Sequence, residues 1–328
     1  MRQLSAGAAT GMRQRSSGAA TGLALGSFLV FVLALAGCAP VNDGAAPAAP
    51  GASGVPTAPA TAAAPSGVPH TSGAPASPVP PDGVPAVPAQ HPVRAEPLWV
   101  PAPGTAWQWQ LSGTLDLNVD VPVYDVDFET TSAADVAALK QKGRNVICYL
   151  SAGSWEDFRG DADEFPEAVL GKEMSGWPDE RWLDIRRLDL LLPILAARMD
   201  TCVAKGFDAV EPDNVDGYRN DSGFPLTPED QLAYNRAVAG LAHQRGLSVG
   251  LKNDLEQIPE LVHSFDFAVN EECGRYSECD RYAPFTAAGK AVLHVEYEEA
   301  LDFCAGTARM GLSSMIKPLD LGAARRAC

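Results

Sequence analysis

Past residue 97, short apolar runs alternate with helix-like stretches, and this alternation constrains the fold more than any other feature of the chain. Eight runs read as strands: Trp107–Leu111, Val121–Val126, Asn145–Leu150, Asp208–Glu211, Ser248–Lys252, Phe267–Glu271, Ala291–Glu296 and Ser314–Lys317. Helices fill the gaps between them. One opens at Ser132 in capping-box style and runs to Gly143. Others are expected over Leu188–Lys205, from Thr227-Pro228 to Gly246, over Leu255–Ser264 and over Glu298–Met310. Eight strands with crossover helices in about 230 residues predict an α/β fold, a single (β/α)8 TIM-type barrel. An open doubly wound sheet is the alternative. The barrel is favoured because almost every strand finishes in charged or aromatic residues, and barrel sites are built at the strands' C-terminal ends.

Residues 1–38 read as a targeting segment and stand outside that fold. Arg2, Arg13 and Arg15 precede an uncharged apolar run, Leu23 to Ala36, that is too short for a spanning helix. It ends in Leu35-Ala-Gly-Cys38, which resembles a bacterial lipobox and implies lipidation at Cys38, with export and a lipid anchor as the sole membrane attachment. The near-identical elevenmers beginning at Met1 and Met12 leave either methionine as the start. Residues 39–97 are Ala, Pro, Gly, Ser and Thr with almost no large apolar side chain, so they cannot offset their ordering entropy and are expected to form a disordered linker. The catalytic-size unit is then 98–328.

Six further cysteines suit an oxidising compartment: Cys148, Cys202, Cys273, Cys279, Cys304 and Cys328. Fifteen pairings are possible. Cys273 with Cys279 is the simplest, and Cys304 with Cys328 would tie down the C-terminus; buried free thiols are the other reading, since Cys148 and Cys202 lie in apolar surroundings. Loss of residues 1–38 removes three arginines and no acid, taking the net charge from −16 to −19. Such a surface repels nucleic acid and attracts a polycation.

The segment Asp208-Ala-Val-Glu-Pro-Asp-Asn-Val-Asp216 is the most informative. Strand alternation turns Glu211 and Asp213 the same way, toward the barrel mouth, with Asp216 in the following loop. A calcium loop fails on ligand spacing. Two strands further on, Glu271 shares a face with Phe267 and Val269, whereas Glu272 points away. Carboxylates on two different strands are what cleavage of a glycosidic bond needs, one to protonate the leaving oxygen and one to attack or to activate water. Tyr124, Tyr149, Trp155, Tyr218 and Tyr297 near the same rim offer flat faces to sugar rings. Lys252 and Asn253 end the fifth strand, where the lysine could orient a carboxylate, and Lys317 ends the eighth. There is no Gly-x-Ser-x-Gly elbow, phosphate loop or His-Glu-x-x-His, so neither a metal nor any other cofactor is expected.

Taken in order, Trp107-Gln-Trp-Gln-Leu111, Tyr124-Asp-Val-Asp127, Cys148-Tyr-Leu-Ser-Ala-Gly153, Trp182-Leu-Asp-Ile-Arg186, Val210-Glu-Pro-Asp-Asn-Val-Asp-Gly-Tyr218, Gly250-Leu-Lys-Asn253, Asn270-Glu271 and Val295-Glu-Tyr297 resemble glycoside hydrolase family 114, the endo-α-1,4-polygalactosaminidases. The resemblance implies a (β/α)8 barrel, internal cleavage of a partly deacetylated galactosamine polymer, and Asp213 and Glu271 as the catalytic carboxylates. Asp184 and Asn214, which lie within these motifs, join Asp125, Asp127, Tyr149, Trp155, Glu211, Tyr218, Lys252, Asn253, Glu296, Tyr297 and Lys317 as residues expected to contact substrate. Glu272 stands where the family pattern has Gln. An acidic mouth independently favours a cationic amino-sugar polysaccharide. By analogy with other α-glycosidase barrels, Asp213 is the nucleophile and Glu271 the acid/base, in a protein expected to be a monomer. A surface lipoprotein that binds the polymer without cutting it, or a barrel hydrolase for another glycan, are the competing expectations.

Overall fold

The computed structural model describes residues 98–297, 300 and 302–328. The leader with Cys38, the 39–97 linker, and residues 298, 299 and 301 lie outside the described residues. Eight parallel strands form the barrel wall: β1 (Trp107–Gln110), β2 (Val123–Asp127), β3 (Asn145–Ser151), β7 (Ala209–Asp213), β8 (Ser248–Lys252), β9 (Phe267–Glu271), β10 (Val292–Glu296) and β11 (Ser313–Ile316). Each neighbours the next in that order. All eight expected strands are present, Ser248–Lys252 and Phe267–Glu271 with the expected bounds and the other six with an end shifted by one or two residues.

The helices stand where capping chemistry puts them. Helix α1 (Ala133–Gln141) starts on a reciprocal capping box between Ser132 and Asp135, and α3 (Pro228–His243) on one between Thr227 and Asp230. Helix α2 (Leu188–Lys205) ends at Gly206, whose φ of 92° is left-handed backbone open to glycine. The expected helix over Leu255–Ser264 is instead a 3-10 turn followed by a single turn, α4 (Ile258–Leu261). A short α5 (Ala283–Ala287) was not expected, and α6 (Cys304–Arg309) is shorter than the 298–310 span.

Alternation along the strands sorts two cores. Trp107, Trp109, Ile147, Phe267, Leu293 and Met315 fill the barrel interior. Outward residues such as Tyr124, Cys148, Val210 and Leu251 pack beneath the helices. Tyr124, expected at the rim, is on this outer face and donates to the carbonyls of Asp116 and Val119. At Gly250 a Cβ would stand 2.5 Å from the Phe267 ring, so the glycine is what admits that ring to the interior.

Two features depart from a plain barrel. Between β3 and α2 lies an antiparallel sheet of β4 (Ser154–Glu156), β5 (Leu170–Met174) and β6 (Trp177–Leu183), in the order β4-β6-β5. At the seam between the first and last wall strands, the C-terminal tail takes part: β12 (Arg326–Ala327) pairs antiparallel with β11, and Leu321 O accepts from the amides of Leu111 and Ser112. The Trp107 indole crosses the same seam to Ser313 O at 2.9 Å.

All six domain cysteines are paired: Cys148–Cys202, Cys273–Cys279 and Cys304–Cys328. The free-thiol reading of Cys148 and Cys202 is thereby corrected, since these apolar neighbours sit close enough on β3 and α2 to be bonded. No helix among the described residues is long and apolar enough to cross a membrane.

Candidate active site

At the C-terminal end of the wall, β7, β8 and β9 each finish with an inward-facing charged side chain: Asp213, Lys252 and Glu271. The Lys252 ammonium lies 2.9 Å from Asp213 Oδ1 and 3.0 Å from Glu271 Oε2. Glu211 Oε1, one step deeper on β7, is 3.6 Å away, and the Trp109 ring faces the ammonium at 4.9 Å. Lys252 is only 2% exposed. Burial alone would lower its pKa, but Asp213, Glu271 and Glu211 together push it well above the usual range.

Each carboxylate has a second anchor. The Tyr149 hydroxyl donates to Asp213 Oδ2 at 2.8 Å, and the Tyr297 hydroxyl donates to Glu271 Oε1. Burial tends to raise the pKa of Asp213, but the Lys252 charge, with hydrogen bonds from Lys252, Tyr149 and the Asn214 amide, holds it below the ordinary aspartate value. Burial followed by the neighbouring carboxylates raises both tyrosines well above theirs.

The backbone explains why these side chains stay on the inner face. Asn214, Asn253 and Glu272 follow the three charged residues directly, with φ of 62°, 48° and 63°. Non-glycine residues rarely adopt this left-handed geometry, and here it recurs at three strand ends around one site. Asn253 uses its turn to accept from the Glu271 amide at 3.0 Å and from Asn270 at 3.2 Å, so β8 fixes where β9 ends. Gly153 makes the Asn214 turn possible: a Cβ there would stand 1.7 Å from Asn214 O. Glu272 is turned outward and pairs with Arg275 at 2.6 Å.

The other sequence candidates divide. Lys252, Asn253, Tyr149 and Tyr297 converge on Asp213 and Glu271. Asp125 and Glu211 lie beneath them and have no exposed surface, so they are out of a sugar's reach. Asp127 is engaged by Arg159 at 2.6 Å and by the Glu129 and Thr130 amides. Asp184 is held by Arg186, and the Trp155 indole donates to Ala162 O. Asn214 donates to Ser151 and Ser154 at 3.1 and 3.0 Å. Glu296 is sealed against His294 and the Gly274 amide, and Lys317 is turned onto Gly322 O at 2.6 Å. Tyr218 stands by Glu256 at 3.5 Å. Asp216 is pushed up to about 6 by burial and by Asp213.

Sequence reasoning passed over Trp109 and Glu180. Trp109 was legible, since it shares the inward face of β1 with Trp107. Glu180 comes from β6; it accepts from Ser154 at 2.7 Å, and burial, then its acidic neighbours Glu156 and Asp213, raise it to about 7. No strand was expected there, so nothing pointed to it.

The glycoside-hydrolase family GH114 model matches residues 88–328. The chain belongs to this family. Among solved structures, Aspergillus fumigatus Ega3 in complex with galactosamine is 37% identical, with a TM-score of 0.67 over 71% of this chain and 99% of that one. The glycoside hydrolase domain of PelA from Pseudomonas aeruginosa is 17% identical, with a TM-score of 0.55 over 69% and 99%, a likeness of fold alone. A protein of Deinococcus radiodurans is 29% identical over 202 residues, which span 55% of this chain and 64% of that relative. As a GH114 member the chain is a glycoside hydrolase with a TIM-type barrel, and the strand-end acids described above are its candidate catalytic groups.

Proposed function

We propose that the chain cleaves within α-1,4-linked galactosamine-containing polysaccharide, with Asp213 as nucleophile and Glu271 as acid/base. The observation that carries this is the shared ammonium. Because Asp213 and Glu271 both contact Lys252 Nζ, at 2.9 and 3.0 Å, their contacting oxygens are at most the two contacts end to end apart, about 5.9 Å. Retaining glycosidases hold their carboxyl groups ~5–5.5 Å apart, whereas inverting ones leave room for water at ~6.5–9.5 Å. Two carboxyl groups held on one ammonium are compatible with double displacement, the mechanism proposed here.

In the first step Asp213 attacks the anomeric carbon while Glu271 gives its proton to the departing glycosidic oxygen, leaving a glycosyl ester on Asp213. In the second, Glu271 takes a proton from water, the hydroxide displaces Asp213, and the α configuration returns. Lys252 and Tyr149 keep Asp213 ionised for attack, and Tyr297 with Asn253 orients Glu271.

The substrate class rests on the family, on the 37% identity to a protein solved with galactosamine, and on the part-exposed Asp213, Asp216 and Glu271, which offer negative charge to a polymer that carries ammonium groups. Membrane attachment through Cys38, export and a monomeric state belong to the same proposal. Incubation with partly deacetylated polymer should release new reducing ends, less so as salt is raised. Binding without product would favour a non-catalytic binder, and undiminished cleavage of the fully N-acetylated polymer would point to another glycan.

A further inference from the structure

The mechanism above leaves two acids without a task. Asp125 on β2 and Glu211 on β7 are both fully buried inside the barrel, directly below the rim. No donor among the described residues reaches either carboxyl group. With four oxygens unpaired in a space closed to water, ionising both groups is too costly, so the two acids, each of which bears on the other's charge, keep a proton between them. Burial and their mutual repulsion disfavour a second negative charge in this space. The charged groups that act on the pair from other positions are Lys252 on β8 and Asp213 on β7. Lys252 reaches toward Glu211 at 3.6 Å, just beyond hydrogen-bonding distance, while its two close contacts go to Asp213 and Glu271.

We propose that Asp125 and Glu211 are positioning residues that share one proton beneath Lys252 and thereby hold its ammonium between Asp213 and Glu271. A doubly ionised pair would draw the ammonium down into the barrel, away from the two rim carboxylates. A neutral apolar floor would leave only the rim to hold it. The shared proton keeps the floor between these extremes, as in other sites where neighbouring carboxyl groups retain a proton between them. This inference rests on the functional reading above for its effect on catalysis, but not for the proton itself.

Asp125→Asn preserves shape and supplies a permanent donor to Glu211. Its kcat should fall by about ten- to a hundredfold with KM little changed, because a small displacement of Lys252 misplaces both reacting carboxylates. The pH profile of kcat should shift with it, and Glu211→Gln should behave alike. Equilibrium unfolding gives a readout independent of activity. In the wild type the folded pair keeps a proton that the unfolded chain gives up above about pH 4, so stability falls as pH rises. Asp125→Asn has one such group fewer, so its Tm should fall less steeply between pH 4.5 and 7. Parallel Tm curves for the two proteins would overturn the shared proton, and an unchanged kcat and pH profile in both variants would overturn the positioning role. Should the wild type cleave no amino-sugar polymer, the functional reading fails, while the Tm comparison still decides whether the pair holds its proton.

Discussion

Two strand ends on the barrel rim carry the same sequence signature, a lysine beside an acid from a neighbouring strand, and they do opposite things. On β8, Lys252 faces three carboxylates and its proton is held firmly. Just past the end of β11, the equally buried Lys317 has a carbonyl for its partner, and burial with nearby Arg325 lowers its pKa to about 8. The acids differ likewise. Glu271 keeps 27% of its side chain exposed, whereas Glu296 is closed off by His294 and by the amides of the β9 loop. A charged residue at a strand end is thus only an opportunity. What surrounds it decides whether it faces a substrate or staples a loop or tail.

The sharpest break of this comparison is at the acids themselves. Asp213→Asn and Glu271→Gln should each lower kcat by about a thousandfold or more, with a fall in Tm smaller than that of Lys252→Met, because the amides keep their size and the ammonium keeps its other carboxylates. Lys252→Met comes next. It should cost about a hundredfold in kcat and about 3 kcal/mol in stability at pH 7, since it leaves carboxylates uncompensated at the rim. That stability loss should shrink at pH 5, where the carboxyl groups can take up protons instead. Denaturant unfolding at the two pH values checks the sign.

Lys317→Met should be milder, within about 1 kcal/mol at pH 7 with activity retained, because the ammonium rests on the Gly322 carbonyl and, among the described residues, forms no ion pair. Its pH dependence runs the other way. Since the folded pKa is lowered to about 8, the unfolded chain binds more protons between pH 8 and about 10.4, so the wild type gains stability across that window and the variant does not. The smallest effect is expected at Glu272. Its side chain is paired with Arg275 on the surface, so Glu272→Gln should leave kcat within about threefold. Loss of activity there would mean that β9 presents the other glutamate.

Much of this was legible before any coordinates. Short apolar runs between helix-like stretches marked the eight wall strands, and capping residues marked the ends of α1, α2 and α3. Period-two alternation along the strands turned Asp213 and Glu271 to the inner face. It was silent on depth. Glu211 and Asp125 share the inward face with the rim residues but lie one layer down, and only the stagger of the strands reveals that. It was silent, too, on the sheet of β4, β5 and β6. Those strands carry charged residues on both faces, as in Lys172-Glu173 and Asp179-Glu180-Arg181, so no apolar period marks them. Asp127 looked like a site residue for a related reason: its partner Arg159 stands 32 residues away and reaches it only through folding, whereas the partners of Asp184 and Glu296, Arg186 and His294, lie two residues away along the chain and pair with them once the local backbone forms.

The most direct measurement is to trap the first chemical step. A Glu271→Gln variant given a galactosaminyl donor with a good leaving group can form the glycosyl ester but should hydrolyse it slowly. Peptide mass spectrometry of the quenched reaction should then find one galactosaminyl adduct, on Asp213. An adduct on another residue, or rapid turnover with no adduct and products of inverted configuration, would contradict the account.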